Sequence, residues 1–268
     1  NVSPSEMKIA TITEDIAATT LVNAGGKDIV YSSEPEVQIR MLENGSVDGW
    51  AYALLPGRQL INKYALNPSA IVPVQTLKKY DFYIAFNRNT SPQIVNSLQD
   101  TMDLLRSEKD TSGVSMYDQI LYRYVQPAFS DSNLTAREVT DLVNQTAADL
   151  ARDAPGTIQR INAGQPPYKN TAKPDLYVFV YDPEVTMIAH GDNARMVGLN
   201  YHTKVDVAGV PFRDQLVQEA LTNGSGWVDY IYSSPAETGL FWKTTRCQLA
   251  TGSDEKKYIV CAGMYKKQ

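Results

Sequence analysis

Near its midpoint the chain changes the spacing of its apolar residues, from short strands alternating with helices to one long helix followed by closely set strands. A single sheet does not accommodate both patterns, so the 268 residues are read as two domains, 1–127 and 128–268. In the first part KIATI, from Lys8, is a short apolar strand, Thr13, Glu14 and Asp15 supply N-cap chemistry, and the following helix closes at Gly25 and Gly26. DIVYSS, a helix opened by Pro35, the extended SVDGWAYALL and the helix QLINKYAL continue the alternation. This β-α-β-α-β order predicts a small parallel sheet with right-handed crossovers. AIVPVQTLKKYDFYIAFNRN is expected to add two further strands, and SPQIVNSLQDTMDLLRSEK an amphipathic helix.

In the second part, residues 111–134 link the domains, and Asp131, Ser132 and Asn133 are expected to cap the helix after them. Val139, Leu142, Val143, Thr146 and Leu150 then fall on one face of that long helix, which Pro155 and Gly156 bend or end. LYVFVYD, VTMIAHGD, the helix-like PFRDQLVQEALTNG, GWVDYIYSS, FWKTTRCQLAT and KKYIVCAGMY succeed one another. Together they describe a PAS-like α+β fold, making the whole chain α/β plus α+β. Alternation along LYVFVYD puts Tyr177, Phe179 and Tyr181 on one face and Val178 and Val180 on the other.

Composition excludes several classes. There are 25 basic and 30 acidic residues, a net charge of −5 with neither part basic, so nucleic acid is not an expected partner. No apolar run approaches the ~18 residues of a spanning helix. Asn1 at the start is read as the mark of a mature or excised piece, with a membrane anchor expected beyond one end. Enzyme motifs are absent: no Gly-x-Ser-x-Gly, phosphate-binding glycine loop, dinucleotide fingerprint or His-Glu-x-x-His. No cofactor is expected. Metal binding through His190, Asp192 and Asp182 competes with a turn-forming role for the acids. The two cysteines, Cys247 and Cys261, flank a turn at Gly252-Ser253-Asp254 and fall opposite each other if that turn centres on Asp254. Either they form a cross-strand disulfide, which places the protein outside the cytoplasm, or they are two buried thiols.

Residues 7–110, through KIATITED, MLENGSVDGWAY and YDFYIAFNRNTS, resemble the second lobe of a type II periplasmic solute-binding protein. That resemblance implies a ligand cleft against a second lobe, absent here. Where amino-acid binders carry an acid after the Asp48 position, this chain has Tyr52, Ala53 and Leu54, so Thr13 and Asp15 are read as caps. Residues 140–265 resemble the extracellular single Cache domain, type 2, of chemoreceptors and sensor kinases. The matching pieces are the strand end at Asp182, Ala189-His190, Gly198-x-Asn200, Asp206-x-x-Gly209, Gly226-Trp227-Val228, Tyr230, Pro235, Lys243, Gly263 and Tyr265.

This second resemblance implies an extracytoplasmic sensor, on the extracellular or periplasmic side, that binds a small organic ligand such as a carboxylate. Its ligand-binding candidates are His190, Tyr177, Phe179, Trp227, Tyr230, Lys243 and Arg160, most of them able to donate to a buried anion. Each has a plainer reading: His190 as a backbone cap, Trp227 and Tyr230 as core, Lys243 on a solvated edge strand, Arg160 in an exposed ion pair, with His202 exposed in its loop. The long helix is expected to move on binding and to serve a homodimer. A free secreted solute-binding protein without signalling is the alternative.

Overall fold

In the computed structural model the described residues are 3–110, 114–130 and 132–267. They divide into two compact units, Asn1–Ser97 and Leu98–Gln268.

In the first unit, β1 (Lys8–Ile12) pairs in parallel with β2 (Asp28–Ser32) and β3 (Gly49–Ala51), giving the order β2-β1-β3. The crossovers are α1 (Ile16–Asn23) and α2 (Pro35–Glu43), and α3 (Leu54–Tyr64) follows. Asp15 is the N-cap of α1, accepting a hydrogen bond from the Ala17 N–H, as the cap reading requires. Ile9, Ala10, Leu21 and Ile39 are its buried apolar centre. The two strands expected within 70–89 are not there. Residues 71–86 lack regular structure, and Val74, Phe82 and Tyr83 are largely exposed. Apolar, β-prone residues become a strand only where a sheet edge accepts their backbone, and β1 to β3 form a sheet of three.

The second unit is entered within α4 (Pro92–Ser107). The linking segment contains a helix, α5 (Met116–Tyr124), that its mixed composition did not announce. Asp131 lies outside the described residues. The long helix, α6 (Ala136–Arg152), is capped by Thr135: its hydroxyl accepts from the Glu138 N–H, and the Glu138 carboxylate accepts from the Thr135 N–H. Asp153 ends α6 and caps α7 (Ala154–Asn162), whose first turn holds Pro155.

Five strands form an antiparallel sheet in the order β5-β4-β8-β7-β6. They are β4 (Val178–Tyr181), β5 (Met187–His190), β6 (Ser225–Ser233), β7 (Leu240–Thr251) and β8 (Lys257–Tyr265), with α8 (Phe212–Asn223) before β6. Gly224, in the left-handed region at φ 75°, turns α8 into β6. The alternation along β4 sorts the two faces as expected. Val178 and Val180 join Val139, Val143 and Leu150 of α6. Tyr177, Phe179 and Tyr181 join Phe212, Leu216 and Val217 of α8. The β7–β8 hairpin has the predicted register, with Cys247 opposite Cys261, both thiols buried. Among the described residues no helix is long and apolar enough to cross a membrane.

Candidate functional site

The α8 face of the sheet carries an aromatic chamber. Tyr177 arrives from just ahead of β4 and Phe179 from β4 itself, Tyr230 and Tyr232 from β6, Phe212 from the start of α8, and His190 from the end of β5. Phe212 lies flat on Tyr230, ring centroids 3.8 Å apart and 9° from parallel, and His190 stacks on Phe179 at 5.8 Å. The space they enclose is about 10 Å³, room for one water molecule. An adjoining recess of about 60 Å³ shares Phe212, Arg213 and Tyr232 as its wall and adds Lys109, Val205 and Asp206.

Two cations are buried here. Lys243, on the interior strand β7, is 1% exposed. Its Nζ donates to Tyr177 Oη at 2.8 Å and lies 4.7 to 5.5 Å from the rings of Tyr177, Tyr265 and Tyr232. No carboxylate lies within ion-pair distance of it among the described residues. Burial lowers its pKa to about 8, an effect that the more distant Asp175 and Asp192 partly oppose. At neutral pH it is an ammonium without a counter-ion. Arg213 is 3% exposed and stacks against Phe212 (4.2 Å) and Tyr201 (4.5 Å). Its Nε has no hydrogen-bond partner. The edge-strand reading of Lys243 is thereby replaced: β7 lies between β6 and β8.

The fold prepares these positions. Gly263, paired with Thr245, leaves space for the lysine stem; a Cβ there would sit 2.8 Å from Lys243 Cε and 2.4 Å from Thr245 Oγ1. Asp206 explains the Asp-x-x-Gly motif. One oxygen accepts from the Ala208 and Val210 N–H groups and the other from Ile231 on β6, so the loop ahead of Arg213 is tied to the sheet. Asp182 likewise serves its turn, accepting from the Glu184 and Thr186 N–H groups.

His190 lines the chamber and also caps backbone, with a change of sense. It caps backbone N–H groups rather than a carbonyl: Nδ1 accepts from Asp192 and Asn193 at 3.2 and 2.8 Å, so the neutral ring carries its proton on Nε2. Burial, reinforced by the charge of Lys243, lowers its pKa to about 4. Burial also raises the pKa of the phenols of Tyr177 and Tyr230, which stay protonated and able to donate.

Of the seven residues marked in the sequence, five come together: Tyr177, Phe179, His190, Tyr230 and Lys243. Trp227 is 38% exposed and stands on the opposite side of β6 from Tyr230, three residues along an alternating strand. Arg160 is on α7, donating to Thr157 Oγ1. His202 is exposed and bonds to Asp214, as its loop setting suggests. Sequence reasoning missed Arg213 and Tyr232. Arg213 carried one signal, a cation in the first turn of a helix, where the macrodipole disfavours it. Among the described residues, no group of three His, Cys, Asp or Glu could hold a metal ion.

Comparison with known proteins gives this arrangement its class. The family model of the single Cache domain 2 matches residues 121–265, more than half of the sequence, and the chain belongs to that family. Several solved structures are similar. One, "Periplasmic sensor domain of chemotaxis protein", is 22% identical, with 47% of this chain and 86% of that one covered and a TM-score of 0.37. Another, "Structural basis for carboxylic acid recognition by a Cache chemosensory domain", is 19% identical over 48% and 92%, TM-score 0.39. A methyl-accepting chemotaxis protein from Vibrio parahaemolyticus RIMD 2210633 is 14% identical over 65% and 96%, TM-score 0.34. No curated protein matches the chain.

Proposed function

We propose that residues 128–268 are an extracytoplasmic sensory domain that binds a small carboxylate in the chamber between β4, β6, β7 and the start of α8. The observation that carries this reading is Lys243, a buried ammonium held behind the chamber's Tyr177 and Tyr232 with no acid within ion-pair distance among the described residues. An uncompensated buried charge is costly, and a protein that keeps one has a use for it. A carboxylate would supply the missing charge and accept from Lys243 Nζ, the guanidinium of Arg213 and Nε2–H of His190. The tyrosine rings would shield the hydrocarbon part. The chamber at about 10 Å³ is too small for an acid, so entry needs the wall of Tyr232 and Arg213 towards the larger recess to give way. Binding would then favour a second arrangement of the walls, the differential affinity that signalling requires. Residues 1–127 are the solute-binding-protein-like lobe in this reading, and α6 is the surface for a homodimer.

The test is a thermal-shift and calorimetric screen of two- to four-carbon mono- and dicarboxylates against wild type and Lys243→Met. At least one acid is expected to stabilise the wild type and to leave the variant unmoved. Should no acid bind, or should Lys243→Met bind as well as wild type, the reading fails.

A further inference from the structure

We propose that Cys247 and Cys261 form an intramolecular disulfide that staples β7 to β8. They are the two cysteines of the 268-residue chain, and the ladder sets them directly opposite each other. The hydrogen-bond phase of that ladder is legible at both of its ends. Gly252 N–H donates to Lys256 O next to the turn, and Lys266 N–H donates to Trp242 O at the far end. Pairs with even numbers on both strands are therefore the hydrogen-bonded ones, and the register runs unbroken from Lys243↔Tyr265 to Thr251↔Lys257. Cys247↔Cys261 is a non-hydrogen-bonded pair. Such pairs bring the Cα atoms to about 4.5 Å with side chains on one face, inside the range a disulfide spans. Both sulfurs are in the apolar layer beneath the chamber, with Cys247 Sγ 3.6 Å from Gly226 O and Cys261 Sγ 3.7 Å from Ile259 O as thiols. Neither contact is one that a bridge must keep.

Formation takes two thiol–disulfide exchanges with an external disulfide, R–S–S–R. The first cysteine thiolate attacks one sulfur of R–S–S–R, forming a mixed disulfide and expelling R–S⁻. The second cysteine thiolate attacks the protein-bound sulfur and expels the other R–S⁻. The two cysteines lose two protons and two electrons; the external disulfide takes up both and leaves as two R–SH. Burial raises both thiol pKa values, Cys247 to about 11, and neither sulfur is exposed once the sheet is complete. The exchange therefore belongs to the folding hairpin and not to the finished domain. The same strands carry Lys243 and Tyr265, one ladder pair, so the bridge ties the ladder four residues from the lysine. The geometry holds whatever the ligand; the oxidising surroundings rest on the extracytoplasmic reading above.

The test supplies those surroundings directly. Wild-type protein is refolded in a mixture of reduced and oxidised glutathione, denatured, treated with N-ethylmaleimide and weighed by mass spectrometry before and after reduction. The expected result is a monomer with no adduct before reduction and two after it. A reductant is expected to lower the thermal midpoint by about 6–12 °C, the shift that closing a loop of this length implies for a domain of this size. It should leave Cys247→Ala/Cys261→Ala unchanged. Two adducts before reduction, a bridge found only between chains, or a midpoint indifferent to reductant in the wild type overturns the proposal. The mass measurement decides by itself should the double variant fail to fold.

Discussion

Lys243 is expensive to keep. A pKa depressed from 10.5 to about 8 corresponds to a penalty on the order of 3 kcal/mol for holding the charged form in the fold. Because the folded state gives up this proton more readily than the unfolded chain, the unfolded state binds more protons between pH 8 and 10.5. The penalty therefore fades, and stability rises, across that window. His190 acts in the same sense lower down: its folded pKa of about 4 against 6.5 means that stability falls as pH drops from 6.5 towards 4. In urea titrations at pH 7 without ligand, Lys243→Met is expected to be more stable than wild type by about 1–3 kcal/mol, with the gap closing between pH 8 and 10.5. A constant gap would place its cause in packing and not in charge. Carboxylate affinity in the wild type is expected to weaken as pH rises through 8. Gly263 supports the same lysine from across the ladder. Gly263→Ala, whose methyl meets the Lys243 stem and Thr245, should cost about 1–3 kcal/mol and weaken acid binding.

At the scale of elements, the legible parts were those whose own residue pattern or turn fixes a face or a register. The β4 alternation was readable because both faces of that strand are buried against helices, α6 on one side and α8 on the other. The β7–β8 hairpin was readable because its turn fixes its register. Residues 71–86 were not: their apolar pattern states what a strand would look like, and only a free edge elsewhere decides whether one forms. Arg213 and Tyr232 were missed for a related reason, since nothing nearby in sequence marks the chamber that they close. The start of α6 is an instructive middle case. Thr135 and Glu138 spell a capping box, yet the run Asp131-Ser132-Asn133 just before it offers three competing caps. Hydrogen bonds from Lys173, then from Thr135, lower the Glu138 pKa to about 2, so the box is complete above pH 4.5 and is lost as pH falls towards 2. Thr135→Ala is expected to lower the stability of the domain by about 1 kcal/mol, read as a shift in urea midpoint, while the same change at Ser132 has little effect.

For the molecule as a whole, the question is how much of the chain the chamber needs. Both apolar clusters of the second unit are built from residues between Leu134 and Ala262, one on each face of the five-stranded sheet. Among the described residues the recess draws on Lys109, Val114 and Asp118 and on none before them, and the chamber on none before Tyr177. Two filled faces of one sheet meet the requirement for a core that stands by itself at this length. A fragment of residues 98–268 is therefore expected to unfold in one cooperative urea transition and to bind the same acid as the full chain, with affinity within about threefold. A fragment starting at Thr135 keeps the sheet and α6 but loses one wall of the recess through which the ligand enters. It is expected to fold and to bind more weakly. Equal binding by both fragments would show that the recess takes no part in admitting the ligand, and failure of the longer one to fold would show that the first unit supplies part of the core.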